Sequence, residues 1–135
     1  MLLLATLLDV ALALLHVAII VVGPRAYRYF GAGEAFAQAA EAGRAWPALA
    51  TAVIAGAFLG FGLYALSGAG VLAPLPLLSW VLFGIAGLFT LRGLALIPQV
   101  LGLVPGPRRD MVFSAVSLVI GLVHAAGVWL EGPVC

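Results

Sequence analysis

The 135-residue chain carries a formal charge of +1, with 8% of its residues charged and 65% hydrophobic. So few charges cannot cover a water-soluble domain, in which about a quarter of residues are normally charged, whereas a chain dissolved in hydrocarbon needs charge only where it leaves the bilayer. Six basic residues against five acids exclude a basic field able to hold nucleic acid, and the single cysteine, Cys135, excludes an internal disulfide and a cysteine metal cluster and reads as an inert tail thiol.

A helix needs about 20 apolar residues to cross the ~30 Å hydrocarbon layer. The first such run is 2–22, which stops at Gly23-Pro24. It has no basic flank and is too long for a secretory signal, so the reading is a retained helix. It carries Asp9 and His16.

The connection from Gly23 to Ala45 is the only long one. Its middle, 33–44, predicts a short interfacial helix, because Glu34, Gln38 and Glu41 recur at spacings of four and three and share one face. The other face is expected to rest on the acyl boundary, with Glu41 paired to Arg44.

The second run, 46–66, ends at Ser67-Gly68-Ala69-Gly70. Ala48, Ala52, Gly56 and Gly60 form a stripe of small residues at every fourth position. Helices in lipid associate through such close-approach faces, and the stripe is read as a seam inside the bundle, with a homodimer seam as the alternative. The third run, 75–97, stops at Pro98 and carries Arg92 one turn inside the boundary. The fourth, 111–130, ends before Gly132-Pro133 and carries His124 and a second stripe, Ser117, Gly121 and Ala125.

The fold class expected is all-α and integral to the membrane, a single domain of four transmembrane helices with one interfacial helix. The first and third loops hold Arg25, Arg28, Arg44, Arg108 and Arg109, and the second holds no charge. The positive-inside rule therefore places loops one and three in the cytoplasm and both termini outside. Tyr27, Tyr29 and Trp46 flank one face, while Trp80 and Trp129 lie near the other, as interfacial anchors do.

An ionisable side chain in hydrocarbon costs roughly 2.5–3.5 kcal/mol on insertion scales, so it normally faces the interior and has a partner. Asp9, His16, Arg92 and His124 are the four candidates. Asp9 lies roughly 10 Å, and His124 roughly 9 Å, from the outer ends of their helices, which suggests a hydrogen bond if those helices are neighbours. With His16 and Arg92 nearer the loop-one side, the four suggest a file across the membrane, and Arg92 has Glu34 or Glu41 as further partners. A structural role stands beside this, each group bonded to Thr6, Thr51, Thr90, Ser114 or Ser117. His16 and His124, separated vertically by roughly 12 Å, are too far apart to flank one haem iron. No zinc set, hydrolase triad motif, phosphate loop or dinucleotide fingerprint is present, so no cofactor is expected.

The His in the first helix, the Gly23-Pro24-Arg25 turn, the segment Tyr27-Arg28-Tyr29-Phe30-Gly31, the short acidic helix and the Leu91-Arg92-Gly93 step together resemble small bacterial four-helix membrane proteins, including the DoxX-like group. The resemblance implies a four-helix protein of the bacterial inner membrane and no catalytic residue. The leading expectation is a binding or transport-type protein for a proton-coupled or small hydrophobic ligand. The alternatives are an accessory subunit of a larger membrane complex and a membrane enzyme acting on quinone or lipid.

Overall fold

The computed structural model describes residues 1–131, so Cys135 and the Gly132-Pro133 stop lie outside the described residues. It contains α1 (Leu2–Val22), α2 (Pro24–Phe30), α3 (Glu34–Glu41), α4 (Trp46–Gly68), α5 (Leu78–Leu94), α6 (Leu96–Val100) and α7 (Arg108–Glu131), with no strand among the described residues. Four stretches are long and apolar enough to cross a membrane: α1, α4, Leu78–Val100 and α7.

The ends of these helices follow from their sequence. Pro24 opens α2 at a position where its missing N–H costs nothing. At the end of α3, Gly43 takes φ +68, its N–H bonds the Ala40 carbonyl and the Arg44 N–H bonds that of Ala39, which satisfies two otherwise orphaned acceptors. Gly70 ends α4 in the same way. The third span departs from expectation. Regular helix stops at Leu94 rather than at Pro98, because the proline cannot bond the Leu94 carbonyl four residues back and its ring crowds that oxygen. The chain breaks at Ala95 and carries Pro98 within the separate short α6. At the other end α5 begins at Leu78 rather than Leu75, because Ser67 and Tyr64 hold the preceding loop: Ser67 Oγ accepts from Leu75 N–H and donates to the Ala73 carbonyl, each at 3.0 Å, and Tyr64 OH donates to the Pro76 carbonyl at 3.2 Å.

The chain divides into two compact units, each described by itself. One comprises Met1–Leu8 and the chain from Phe61 onward; the other is Asp9–Gly60. In the first, α5 and α7 approach to backbone contact. A Cβ added at Gly93 would lie 2.5 Å from Leu118 Cα, and one at Gly121 would lie 2.6 Å from the Thr90 backbone nitrogen. Leu82, Ile85, Ala86 and Phe89 are buried along α5 at helical spacing. Leu2 is fully buried, and hypothetical Cβ atoms at Gly68 and Gly127 would both strike it. The Glu131 carboxylate accepts the Leu2 N–H at 3.1 Å and pairs with the Met1 amino group, placing negative charge at the α1 N-terminus as the helix dipole favours. Thr6 Oγ1 bonds the Leu2 carbonyl at 3.0 Å and also faces the Gly62 carbonyl at 3.4 Å, so it links α1 to α4.

In the second unit, Ile19, Ala26, Tyr27 and Ala37 form a core to which Phe30, Phe36 and Ala40 add. The apolar side of α3 therefore packs on α1 and α2, where the sequence suggested the acyl boundary. Phe36 also meets Trp46 edge-on at 4.6 Å. Thr51 Oγ1 bonds the Pro47 carbonyl at 2.8 Å and lies 3.4 Å from the Tyr27 hydroxyl.

The small stripe of α4 meets open space among the described residues. Ala52 and Gly56 are exposed, Gly60 is half-buried, and nothing lies within 4 Å of a Cβ added at Gly56 or Gly60. The buried face is turned by one residue, to Pro47, Thr51, Ala55, Gly62, Ala65 and Ser67. Thr51 and Ser67 lie on this buried face, Thr51 bonded to the Pro47 carbonyl of its own helix and Ser67 to the following loop. On α7, Gly121 is buried, while Ala125 is exposed.

Candidate functional site

Of the four ionisable residues singled out in the sequence, Asp9 and His16 belong to the second unit. Asp9 is wholly buried and His16 partly so, two turns apart on α1. His16 Nδ1 lies 2.8 Å from the Leu12 carbonyl, and its ring packs 5.0 Å from that of Phe58. A carbonyl can only accept, so Nδ1 carries a proton and the neutral ring keeps its lone pair on Nε2.

His124, in the first unit, repeats the device on α7. It is wholly buried, with Nδ1 3.0 Å from the Ile120 carbonyl and the ring stacked on Phe89 at 5.8 Å and 22°. The backbone thus sets the orientation and the tautomer of both imidazoles. Arg92 differs. It is exposed in the last turn of α5, where a cation meets the negative end of the helix dipole.

Of the five hydroxyls offered by the sequence as partners, Thr6, Thr51 and Ser117 bond carbonyls four residues back in their own helices, Ser117 that of Phe113 at 2.9 Å.

The loop-one carboxylates have a partner that sequence spacing missed. Arg28 on α2 grips Glu34 at 2.7 and 3.0 Å and Glu41 at 2.7 and 3.1 Å, so one guanidinium ties both ends of α3 to α2. Glu41 is thus held by Arg28 rather than Arg44. The hydrogen bonds to Arg28 hold both carboxyls below the usual carboxylate range, and the two acids raise the Arg28 guanidinium further above its ordinary value. The Gly31–Gly33 turn folds α3 back beside α2, bringing together groups six and thirteen residues apart in sequence.

Beside α2 lies a cavity of about 400 Å³ lined by Leu15, Ala18, Ile19, Val22, Arg25, Ala26, Tyr29 and Phe30. Among the described residues, no three His, Cys, Asp or Glu side chains gather as a metal site. No protein-family model, curated protein or solved structure matches the chain. The DoxX-like resemblance rests on the residues quoted for it alone.

Proposed function

We propose that the chain is a multi-pass membrane protein of the binding or transport type, in which Asp9, His16 and His124 take up and release protons. The observation that carries this reading is the complete burial of the Asp9 carboxyl within a helix long and apolar enough to cross a bilayer. Ionisable groups at such depth belong by default to proton or ligand sites, because an apolar residue would cost less there. The two imidazoles add groups of fixed aim, since each ring is held through Nδ1 by a backbone carbonyl of its own helix.

The large apolar side chains on the outward faces support the membrane reading. Leu7, Val21, Val53, Leu91 and Trp129 are each at least two-thirds exposed, an arrangement that suits lipid and not water. In the proposed topology the arginine-bearing loops face the cytoplasm of a bacterial cell.

The test is proton flux in liposomes holding the purified protein and a trapped pH dye, under an imposed gradient. Dissipation faster than in empty liposomes is expected, with a loss of at least tenfold in Asp9→Asn and His124→Gln. Flux equal to that of empty liposomes, or variants that conduct like the parent, would overturn the reading.

A second reading, association with another copy through α4, is favoured by the open space over Gly56 and Gly60. In a Cys135→Ser background, Gly56→Cys should form a disulfide-linked dimer in membranes under mild oxidation and Leu63→Cys should not. Equal cross-linking of the two would remove this reading.

A further inference from the structure

The cavity in the second unit has a composition that the proton reading does not use. Leu15, Ala18, Ile19 and Val22 supply one face of α1, and Arg25, Ala26, Tyr29 and Phe30 supply α2. Its surface is almost wholly apolar, and Arg25 is the one charged residue that lines it. Arg25 is exposed, so its methylene stem forms wall while the guanidinium reaches the edge. The two arginines of α2 stand in contrast. Arg28 is neutralised by two carboxylates, whereas Arg25 has no ion pair among the described residues, although loop one carries both of those acids.

From this pairing of an apolar groove with an uncompensated guanidinium we infer that the groove binds an anionic phospholipid, its acyl chain along Leu15, Ala18, Ile19 and Val22 and its phosphate on Arg25. The occupant follows from charge complementarity and position. Guanidinium presents five donors and favours a doubly bonded oxyanion. The groove lies where α1 ends and α2 begins, the level at which hydrocarbon gives way to headgroups if α1 spans the bilayer. About 400 Å³ falls within the range of roughly 300–1,000 Å³ typical of small-ligand sites. A zwitterionic lipid brings a cation with its phosphate, and free phosphate leaves the apolar wall unfilled; the groove discriminates against both.

The inference rests on the membrane reading but not on proton movement. Native mass spectrometry of the detergent-purified chain, titrated with phosphatidylglycerol or phosphatidylcholine of the same acyl composition, tests it. Phosphatidylglycerol adducts are expected at roughly tenfold lower lipid concentration, the scale of one charge-assisted contact. Arg25→Gln should erase that preference and Arg25→Lys should keep part of it, while Arg44→Gln leaves it intact. Ala18→Trp, which fills the groove and leaves Arg25 in place, should weaken adducts of both lipids, and inorganic phosphate should not compete. Equal binding of the two lipids, an unchanged preference in Arg25→Gln, or displacement by phosphate would overturn the proposal. Recovery of the chain in the soluble fraction after cell lysis would instead overturn the membrane reading beneath it.

Discussion

At the scale of single residues, the best-defined chemistry is the Arg28 clamp, and its pH response follows from the lowered carboxyls of Glu34 and Glu41. A carboxyl depressed by folding stabilises at any pH above its unfolded value and ceases to do so as pH falls through its folded value. The tie between α2 and α3 is thus complete at neutral pH and is lost on acidification below the ordinary carboxylate range. Phe36 on α3 touches Trp46, which supplies the signal. With Trp80 and Trp129 replaced by Phe, Trp46 fluorescence should change in that acidic window, and Arg28→Ala should show the acid-form spectrum already at neutral pH. A flat fluorescence titration would contradict the clamp. The sequence showed the two acids on one face of a helix, but the choice between Arg28 and Arg44 depended on how the glycine turn folded. Burial of Asp9 and His124 was legible from their place in apolar runs. Arg25 was legible only as a loop charge, because a cavity has no signature in spacing.

Among the elements, α5 and α7 form the closest pair, and their tolerance to added atoms should differ sharply from that of α4. Gly93→Ala puts a methyl against the Leu118 backbone, which cannot swing aside as a side chain can. A loss of about 1–3 kcal/mol is expected in unfolding from mixed micelles. Gly56→Ala meets open space and should leave the unfolding midpoint unchanged or slightly raised, since alanine is the better helix former. Similar losses for both would contradict the open space over Gly56. This rotation of α4 was the main point the sequence could not supply. Ala52, Gly56 and Gly60 repeat as regularly as any packing face, and spacing alone does not distinguish them from the face that carries Thr51 and Ala55, which is the buried one. The break at Ala95 was hidden for a related reason: Pro98 marks the disturbance, but its effect falls on the carbonyl four residues earlier.

For the whole molecule, the four apolar spans were plain from composition, because hydrocarbon thickness fixes the length of a crossing helix. Orientation is a matter of arginine placement, and a cytoplasm-only reporter fused after residue 131 should be silent while one placed in loop three, after Gly102, should be active; the reverse pattern would invert the topology. Leu2 has a consequence for synthesis. Its place is formed by Gly68, Leu82 and Gly127, residues spread over most of the chain, and the Glu131 carboxylate closes over its amide. The stretch Asp9–Gly60 is continuous in sequence and can gather its core soon after it leaves the ribosome. The first turn of α1 is made before Gly68, Leu82 and Gly127 and settles after them, since its seat is incomplete until α7 is in place. Nascent chains halted after residue 110 should therefore hold the Phe36–Trp46 contact while leaving Leu2 open to labelling at a substituted cysteine.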